Sequence, residues 1–561
     1  MTPAVALRGR FHLQHHRQRQ RQRGCHPRAT TSSSGGGENT SNRNGGGNGG
    51  WMSGVLGVMK NIRGKNRNKN KWDGITLGDA FGSDYESHVP SSPSNGSNAS
   101  SSVRMRRGRR AGIVLHPTSL PGPLGCGDLG QEAYHFVDWL ASAGIRCWQV
   151  LPLVPPERAF WSPYAGENAN AGNTLLISLQ TLVQDGLLEA EELNQATKLG
   201  GDGGGQSKGS GYGCDADFEL AVRVKEPLLS VAAQRLVAQG SGGSLGEDFD
   251  TFCTSNDDWL GPAALFHCIG GREELRGQPW WQWPPALRDR DPDAMVECSE
   301  RHKGGVMEFK ALQFLFDRQW GKLRRHANEK GISIVGDMPI YIGGNSADVW
   351  ANRDLFELDK QSGRANHVSG VPPDAFSETG QLWGNPLYDW KAQRKDGYKW
   401  WTRRLERAFN LYDEARIDHF RGFAGYWSVE AHRDTAMVGV WRAGPGMELF
   451  NAMMDKLGED KVQNIMAEDL GVITQDVVAL RESLGAPGML VLQFAFDGNP
   501  GNPHLPHNHY VNCFVYPGTH DNDTTVGWYQ SLDTGSKEYL HSYLGSSFNS
   551  DDDVAWTLVR A

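Results

Sequence analysis

Seven short apolar segments, most of them separated by stretches with helical spacing, are the feature that most constrains how this chain can fold. They cover residues 112–116, 147–153, 332–339, 415–420, 464–471, 489–496 and 512–521. Strands that alternate with helices form parallel sheets with the helices packed against them. Several segments end near an acid, and in a (β/α)8 barrel of the TIM type the active site lies at the carboxyl ends of the strands. The sequence therefore predicts an α/β fold with such a barrel, and a doubly wound open sheet is the alternative.

A long gap between the second and third segments interrupts this repeat. Residues 155–305 hold helical stretches, a Gly-rich insert and a cluster of Trp residues, which predicts a helical insertion into the barrel. The repeat resumes with a predicted helix over residues 307–326, whose apolar residues recur at three- and four-residue steps and form a core-facing stripe. Because only seven strands are found, we expect that the last strand and helix of the barrel are missing.

The amino-terminal 105 residues differ in composition from the rest of the chain. Residues 1–37 contain seven Arg and no Asp or Glu, which is typical of an organellar transit peptide, although a basic disordered tail is the alternative. Runs of Gly, Ser and Asn follow, and such a composition cannot bury enough apolar surface to fold. We therefore predict that residues 1–105 are a transit peptide and a disordered linker, and that residues 106–561 form the incomplete catalytic barrel.

Charge and composition argue against several kinds of partner. The formal net charge of −8 gives no basis for binding nucleic acid, and no apolar run approaches the roughly 20 residues of a membrane span. The eight Cys residues include no C-x-x-C pair, so neither a zinc site nor a disulfide framework is indicated. The 19 Trp residues favour a site that stacks on flat ligand faces, although Trp also fills cores.

Arg416 and Asp418 stand two residues apart at the end of the fourth predicted strand, so their side chains point the same way. A fixed guanidinium beside a carboxylate favours the ionised form of the carboxylate. An ionised carboxylate at a strand end is what a nucleophile or an electrostatic stabiliser requires. A buried structural ion pair is the alternative interpretation of these two residues.

Three predicted strand ends carry acids, namely Asp418, Glu468 and Asp521. Two carboxyl groups that flank a glycosidic bond are the minimum for cleaving it, and one must be ionised while the other is protonated. Glu468 has no basic neighbour in the sequence and lies in an apolar strand, which favours its acid form. Acids at strand ends also bind metals in other barrels, so metal-assisted chemistry is the alternative.

Eight motifs in a fixed order narrow the function. They are residues 112–130 (GIVLHPTSLPGPLGCGDLG), 162–164 with 171–173, 336–341 (GDMPIY), 346–352, 370–390 (GVPPDAFSETGQLWGNPLYDW), 416–422 (RIDHFRG), 467–471 (AEDLG) and 518–523 (GTHDND). On these motifs the chain resembles, from residue 111 to about residue 544, the 4-α-glucanotransferases of glycoside hydrolase family 77, the amylomaltases or disproportionating enzymes. The middle motifs are most similar to the plastidial, plant-type branch.

This resemblance implies a role for each acid. Asp418 would be the nucleophile and Glu468 the general acid and base, with Arg416 orienting Asp418. Asp521, together with His520, would bind sugar hydroxyls and stabilise the transition state. The other substrate-binding residues that the resemblance implies are Tyr164, Asp374 and Trp383. For Tyr164 and Trp383, packing in the core is the alternative, and two further acids, Asp337 and Asp469, would have supporting roles.

The resemblance also implies the reaction: a retaining transfer of α-1,4-glucan segments to the 4-hydroxyl of an acceptor sugar. The partners would be maltooligosaccharides and glucose, with no metal or organic cofactor, and the location would be the plastid. An α-glucan hydrolase with the same residues and a non-catalytic glucan-binding protein are the alternatives. The chain departs from many bacterial relatives at Ala375, where they have Tyr, so one aromatic platform is absent. The family also continues beyond the position that matches Ala561, in keeping with the missing strand.

Overall fold

A computed structural model describes residues 108–201, 216–374, 377–546, 548 and 550–561 of the chain. The predicted transit peptide and linker, residues 1–105, lie outside the described residues, and so does Ala375. The described residues have a mixed α/β fold with three sheets. The strands are β1 (Gly112–Val114), β2 (Cys147–Gln149), β3 (Ser333–Pro339), β4 (His367–Val371), β5 (Gln381–Pro386), β6 (Glu414–Asp418), β7 (Gly425–Glu430), β8 (Val440–Ala443), β9 (Ile465–Ala467), β10 (Gly488–Val491) and β11 (Cys513–Tyr516).

Each of the seven segments predicted from the sequence contains or overlaps a strand, and these seven strands pair in parallel. Five of them form one sheet in the order β1-β2-β3-β6-β9, and β10 pairs with β11 in a second sheet. The backbone N–H of Ala467 in β9 donates to the carbonyl oxygen of Pro487, just before β10, at 2.9 Å. The two parallel sheets therefore follow one another at neighbouring edges.

A contact between distant strands indicates that these sheets curve. The hydroxyl of Tyr516 in β11 donates to Oε1 of Gln149 in β2 at 2.7 Å, although the two residues are 367 positions apart. The side chains of the second and the last parallel strand thus meet in the interior. Closure into a complete barrel stays a prediction.

Helices occupy the connections between the strands. They are α1 (Gln131–Ser142), α2 (Leu179–Gln184), α3 (Ala190–Gly201), α4 (Phe218–Gln239), α5 (Ser244–Ser255), α6 (Asp257–Gly270), α7 (Pro285–Arg288), α8 (Pro292–Arg301), α9 (Lys303–Glu329), α10 (Ala347–Ala351), α11 (Trp390–Lys395), α12 (Lys399–Leu411), α13 (Met447–Leu457), α14 (Glu459–Val462), α15 (Gln475–Ser483), α16 (Thr525–Ser531), α17 (Thr534–Leu544) and α18 (Asp551–Arg560). Helices α2 to α9 all lie between β2 and β3, where the sequence predicts a helical insertion. No helix in the described part of the chain has the length and apolar character needed to cross a membrane.

The 27-residue helix α9 ties this helical region to the loop after β2. Its apolar stripe is buried, and two buried amides lie within the same face. Gln313 accepts from the N–H of Gly172 at 2.6 Å and donates to its carbonyl at 3.1 Å. Gln319 makes the same pair of bonds to Ser178, at 2.7 and 3.1 Å. Because buried backbone groups are costly without partners, these two side chains fix the path of residues 172–178 against α9.

A four-stranded antiparallel sheet, which the sequence analysis did not predict, stands beside the parallel strands in the order β5-β4-β7-β8. β4 and β5 follow the end of β3, and β7 begins seven residues after β6 ends. Val368, Val429 and Ala436 form a small core on one of its faces. The connections after β3 and β6 therefore build a second layer next to the carboxyl ends of the parallel strands.

Candidate active site

The carboxyl ends of three neighbouring parallel strands bring acids together. Asp337 lies in β3, Asp418 ends β6, and Glu468 follows the last residue of β9. Asp337 is paired across the sheet with Arg416 of β6. The N–H of Glu468 donates to Ile417 at 3.0 Å, which continues the pairing of β9 with β6 past the end of the strand. Strand geometry alone therefore places these side chains at one end of the sheet.

Arg416 connects two of the acids. Its Nη2 donates to Oδ1 of Asp418 at 2.8 Å, and its Nη1 donates to both carboxylate oxygens of Asp337 at 2.7 and 2.8 Å. The side chains of Arg416 and Asp337 are buried, whereas that of Asp418 is partly exposed. Burial opposes the charge of Arg416, but the two carboxylates hold the pKa of the guanidinium well above its ordinary value. A permanently charged Arg416 thus faces Asp418, as the sequence predicts.

Glu468 lies in a different environment. Burial, and then the nearby charge of Asp418, raise the pKa of its carboxyl to about 7, against the opposing influence of Arg416. The backbone N–H groups of His419 and Leu470 donate to its two oxygens at 2.7 and 2.9 Å. These bonds fix the orientation of the carboxyl group. Glu468 can therefore hold or release a proton near neutral pH while its position stays constant.

Tyr164 and His520 form a wall next to Asp337. The Tyr164 hydroxyl donates to Oδ2 of Asp337 at 2.6 Å. The rings of Tyr164 and His520 are stacked, with centroids 5.2 Å apart and planes inclined by 2°. The carboxylate of Asp521 lies 3.5 Å from Nε2 of His520, and its side chain is 68% exposed. The structure thus brings Tyr164 and His520 to the acids, and it places Asp521 at the open edge of the group.

Trp383 and Asp374 come from the antiparallel sheet. Trp383 lies on β5, and its ring meets the ring of His419 edge to face at 4.7 Å. Asp374 lies in the connection from β4 to β5, where its carboxylate accepts from the N–H of Ser377 at 2.8 Å. The loop that carries Asp374 is therefore turned by its own side chain. Trp383 is the member of this pair that contacts the end of β6 through His419.

His419 is a candidate site residue that the sequence analysis did not single out, although it lies inside the motif 416–422. Its backbone has φ of 52°, the left-handed region that few residues other than Gly adopt. The side chain is buried, its Nε2 has no hydrogen-bond partner, and burial lowers the pKa of the ring to about 4. A neutral imidazole next to Asp418 can therefore offer a hydrogen bond to a bound molecule. Only its position beside Asp418 in the sequence could have indicated it.

Asp469 points away from this group. One of its oxygens accepts from the N–H of Met489 at 2.7 Å, and the other lies 3.1 Å from Nε of Arg481. These contacts link β9 to β10 and to α15. In the described part of the chain, no group of three or more His, Cys, Asp and Glu side chains has an arrangement that could hold a metal ion.

The chain has close relatives of known name. Residues 115–561 match the family model of glycoside hydrolase family 77, described as 4-alpha-glucanotransferase. The chain is 50% identical over 494 residues to the 4-alpha-glucanotransferase DPE1, chloroplastic/amyloplastic, of Arabidopsis thaliana, an alignment that covers 87% of this chain and 79% of the relative. It is 51% identical over 443 residues to the chloroplastic/amyloplastic 4-alpha-glucanotransferase of Solanum tuberosum, with 78% and 73% covered.

A solved structure agrees with these relatives. The amylomaltase of Streptococcus agalactiae, determined in complex with acarbose, superposes with a TM-score of 0.70 at 33% sequence identity. The superposition covers 79% of this chain and 86% of that one. The order of the parallel strands, the acids at their ends and these similarities agree with one another, and the chain belongs to glycoside hydrolase family 77, the family of the 4-alpha-glucanotransferases.

Proposed function

We propose that this chain transfers segments of α-1,4-glucans between sugars by a retaining double displacement, with Asp418 as the nucleophile and Glu468 as the general acid and base. The observation that carries the proposal is the contrast between the two carboxyl groups on neighbouring strands. Arg416 donates directly to Asp418, whereas burial and the charge of Asp418 raise the pKa of Glu468 to about 7. One ionised and one protonated carboxyl are what a retaining glycosidase requires.

The first step forms a covalent intermediate. An oxygen of the Asp418 carboxylate attacks the anomeric carbon, and the bond from that carbon to the leaving oxygen breaks. Glu468 gives its proton to this oxygen, which leaves as the 4-hydroxyl of the departing sugar. The charge of Arg416 keeps Asp418 ionised, and the two backbone N–H groups hold Glu468 in place for the transfer.

The second step reverses these roles. The 4-hydroxyl of an acceptor sugar gives its proton to the Glu468 carboxylate and attacks the anomeric carbon, and the bond to Asp418 breaks. Two inversions at the same carbon retain its configuration. The result is a new α-1,4 bond, and both carboxyl groups return to their starting protonation states.

The remaining candidate residues have binding roles in this proposal. His520 and Asp521 would bind sugar hydroxyls and stabilise the transition state. Trp383 would supply an apolar face, and the stacked ring of Tyr164 would do the same next to Asp337. Asp374 would bind hydroxyls from the loop after β4. Maltooligosaccharides and glucose are the substrates that these groups suit, and no cofactor takes part in the steps described.

Fold, domains and location complete the proposal. We infer a (β/α)8 barrel within residues 106–561, with residues 155–305 as its insertion, and the Tyr516–Gln149 contact across the interior supports the curvature that a barrel needs. The plant relatives are named as chloroplastic/amyloplastic proteins. Together with the Arg-rich, acid-free amino end, this supports a location in the plastid stroma.

Incubation with maltotriose tests the function. Transfer converts maltotriose to glucose and longer chains with no net gain of reducing ends. A steady gain of reducing ends would identify a hydrolase instead. Binding of maltotriose without turnover would identify a glucan-binding protein, and either result would contradict the proposal.

A further inference from the structure

The outer part of the antiparallel sheet exposes an unusual concentration of large apolar side chains. Four of them come from the five residues 437–441, and a fifth follows the loop after β9. They are Met437, Val438, Val440, Trp441 and Val472, with exposed fractions between 44% and 61%. We call these five residues the Trp441 patch. Single exposed apolar residues are ordinary, but contiguous patches mark ligand-binding grooves or interfaces.

The ring of Trp441 is held from behind. The guanidinium carbon of Arg421 lies 4.0 Å from the centre of the ring, a cation–π contact. The ring of Trp427, opposite Trp441 on β7, packs against it at 5.3 Å and 63°. Trp427 is itself fixed, because its Nε1 donates to the carbonyl of Ala436 at 2.9 Å. Trp441 is thus a rigid aromatic surface, and a ligand can bind it at little cost in side-chain entropy.

Arg421 also connects the patch to both proposed catalytic acids. It lies three residues after Asp418, its side chain is buried, and its Nε donates to the carbonyl of Gly425 at 3.3 Å. Its Nη1 donates to the carbonyl of Val472, four residues after Glu468. The patch therefore adjoins the two segments that carry the proposed nucleophile and the proposed acid, with one buried side chain between them.

The chemistry of the patch suits a neutral, flat and partly apolar ligand. The positive charge of Arg421 is covered by the ring and by backbone carbonyls, and the patch contains no charged member. A pyranose ring has an apolar face of C–H groups that stacks on Trp, while its hydroxyls remain in water. Glu468 protonates the leaving oxygen in the proposed mechanism, so the loop from Glu468 to Val472 leads outward on the side of the departing and accepting sugars.

We propose that the Trp441 patch is a binding surface for the outer sugars of a long α-glucan, beyond the pair of acids and on the acceptor side. The proposal rests on the proposed function. A short chain bound across Asp418 and Glu468 does not reach Trp441, because Arg421 and the turn that follows Asp418 lie between. Selectivity for long over short chains is therefore the property that the patch confers.

The test compares maltoheptaose with maltotriose as substrates of the full-length protein. Trp441→Ala lowers the ratio of kcat/KM for maltoheptaose to kcat/KM for maltotriose about tenfold, equivalent to about 1.4 kcal/mol, through a higher KM for maltoheptaose. Trp441→Phe keeps an aromatic ring and restores most of the ratio. Trp556→Ala is the matched control, because Trp556 is 42% exposed on α18, and this variant leaves the ratio unchanged.

Each other outcome overturns the inference. An equal loss on both substrates assigns Trp441 to the stability of the sheet, and an unchanged ratio in Trp441→Ala removes the patch from glucan binding. A dimer of the wild type that Trp441→Ala dissociates, seen by sedimentation, identifies a second copy as the occupant. If Trp441→Ala does not fold, Val472→Ser against the exposed control Val296→Ser gives the same comparison. Wild-type protein that does not disproportionate maltotriose contradicts the proposed function itself.

Discussion

Replacing Glu468 with Gln should change how the stability of this protein depends on pH. The pKa of the Glu468 carboxyl is about 7, whereas the ordinary value is 4.5. The folded protein therefore keeps this proton to a higher pH than the unfolded chain does, and the free energy of unfolding decreases as the pH rises from about 4.5 to about 7. With about 1.4 kcal/mol for each pKa unit, the carboxyl costs about 3 kcal/mol of stability above pH 7 and nothing below pH 4.5.

The Gln variant removes this pH dependence but introduces a constant cost. Backbone N–H groups of His419 and Leu470 donate to the two oxygens of Glu468. The amide nitrogen of Gln cannot accept either of these bonds, and one buried N–H without a partner costs about 1–3 kcal/mol at every pH. The informative quantity is therefore the slope of stability against pH, and the absolute stability of the variant decides nothing.

Urea unfolding followed by Trp fluorescence measures this slope. We expect the free energy of unfolding of the wild type to fall by about 3 kcal/mol relative to Glu468→Gln between pH 4.5 and pH 8. Glu482→Gln, which removes an exposed carboxylate on α15, should run parallel to the wild type. A constant difference between the wild type and Glu468→Gln over this range would refute the assignment of Glu468 as a buried carboxyl that is protonated near neutral pH.

Three further predictions follow from the site and the fold. Asp418→Asn should lower turnover by several orders of magnitude and leave glucan affinity largely intact, because a nucleophile acts in the chemical step, and activity above about a tenth of wild type would exclude that role. The kcat/KM for maltotriose should fall above about pH 7 as Glu468 loses its proton, and a profile that stays flat to about pH 9 would exclude Glu468 as the acid. Arg110→Ala should cost about 1–3 kcal/mol in urea unfolding, because it leaves the buried Glu414 carboxylate without its bidentate partner. The exposed pair of Arg301 and Glu297 is the control, since Arg301→Ala should cost under about 1 kcal/mol, and an equal loss would contradict the special role of Arg110.

The parallel strands and their acids could be predicted from the sequence because the relevant signals are local. Apolar runs that end on Asp418 or just before Glu468 identify strand ends, and the two-residue spacing of Arg416 and Asp418 places both side chains on one face. The low basic content around Glu468 indicates its acid form. The structure adds Arg416 as a neighbour that opposes this effect, which the sequence could not show because the two residues are far apart in the chain.

The antiparallel sheet and the role of His419 could not be predicted in the same way. β4 pairs with β7 across some 60 residues and across the intervening strand β6, so no hairpin signal links them. The short strand β8 exposes most of its side chains and lacks the alternation of a half-buried strand. The left-handed backbone of His419 depends on the packing of Trp383 and on the turn after β6, which no local pattern encodes.

Trapping the covalent intermediate tests the central claim most directly. Glu468→Gln is incubated with α-maltosyl fluoride, whose leaving group departs without a proton, so the first step proceeds while the second lacks its base. We predict a protein whose mass is increased by one maltosyl group, with the group attached to Asp418 in the peptide that contains it. The double variant with Asp418→Asn should carry no such group. A maltosyl group on any other residue, or turnover of the fluoride without a covalent adduct, would contradict the mechanism.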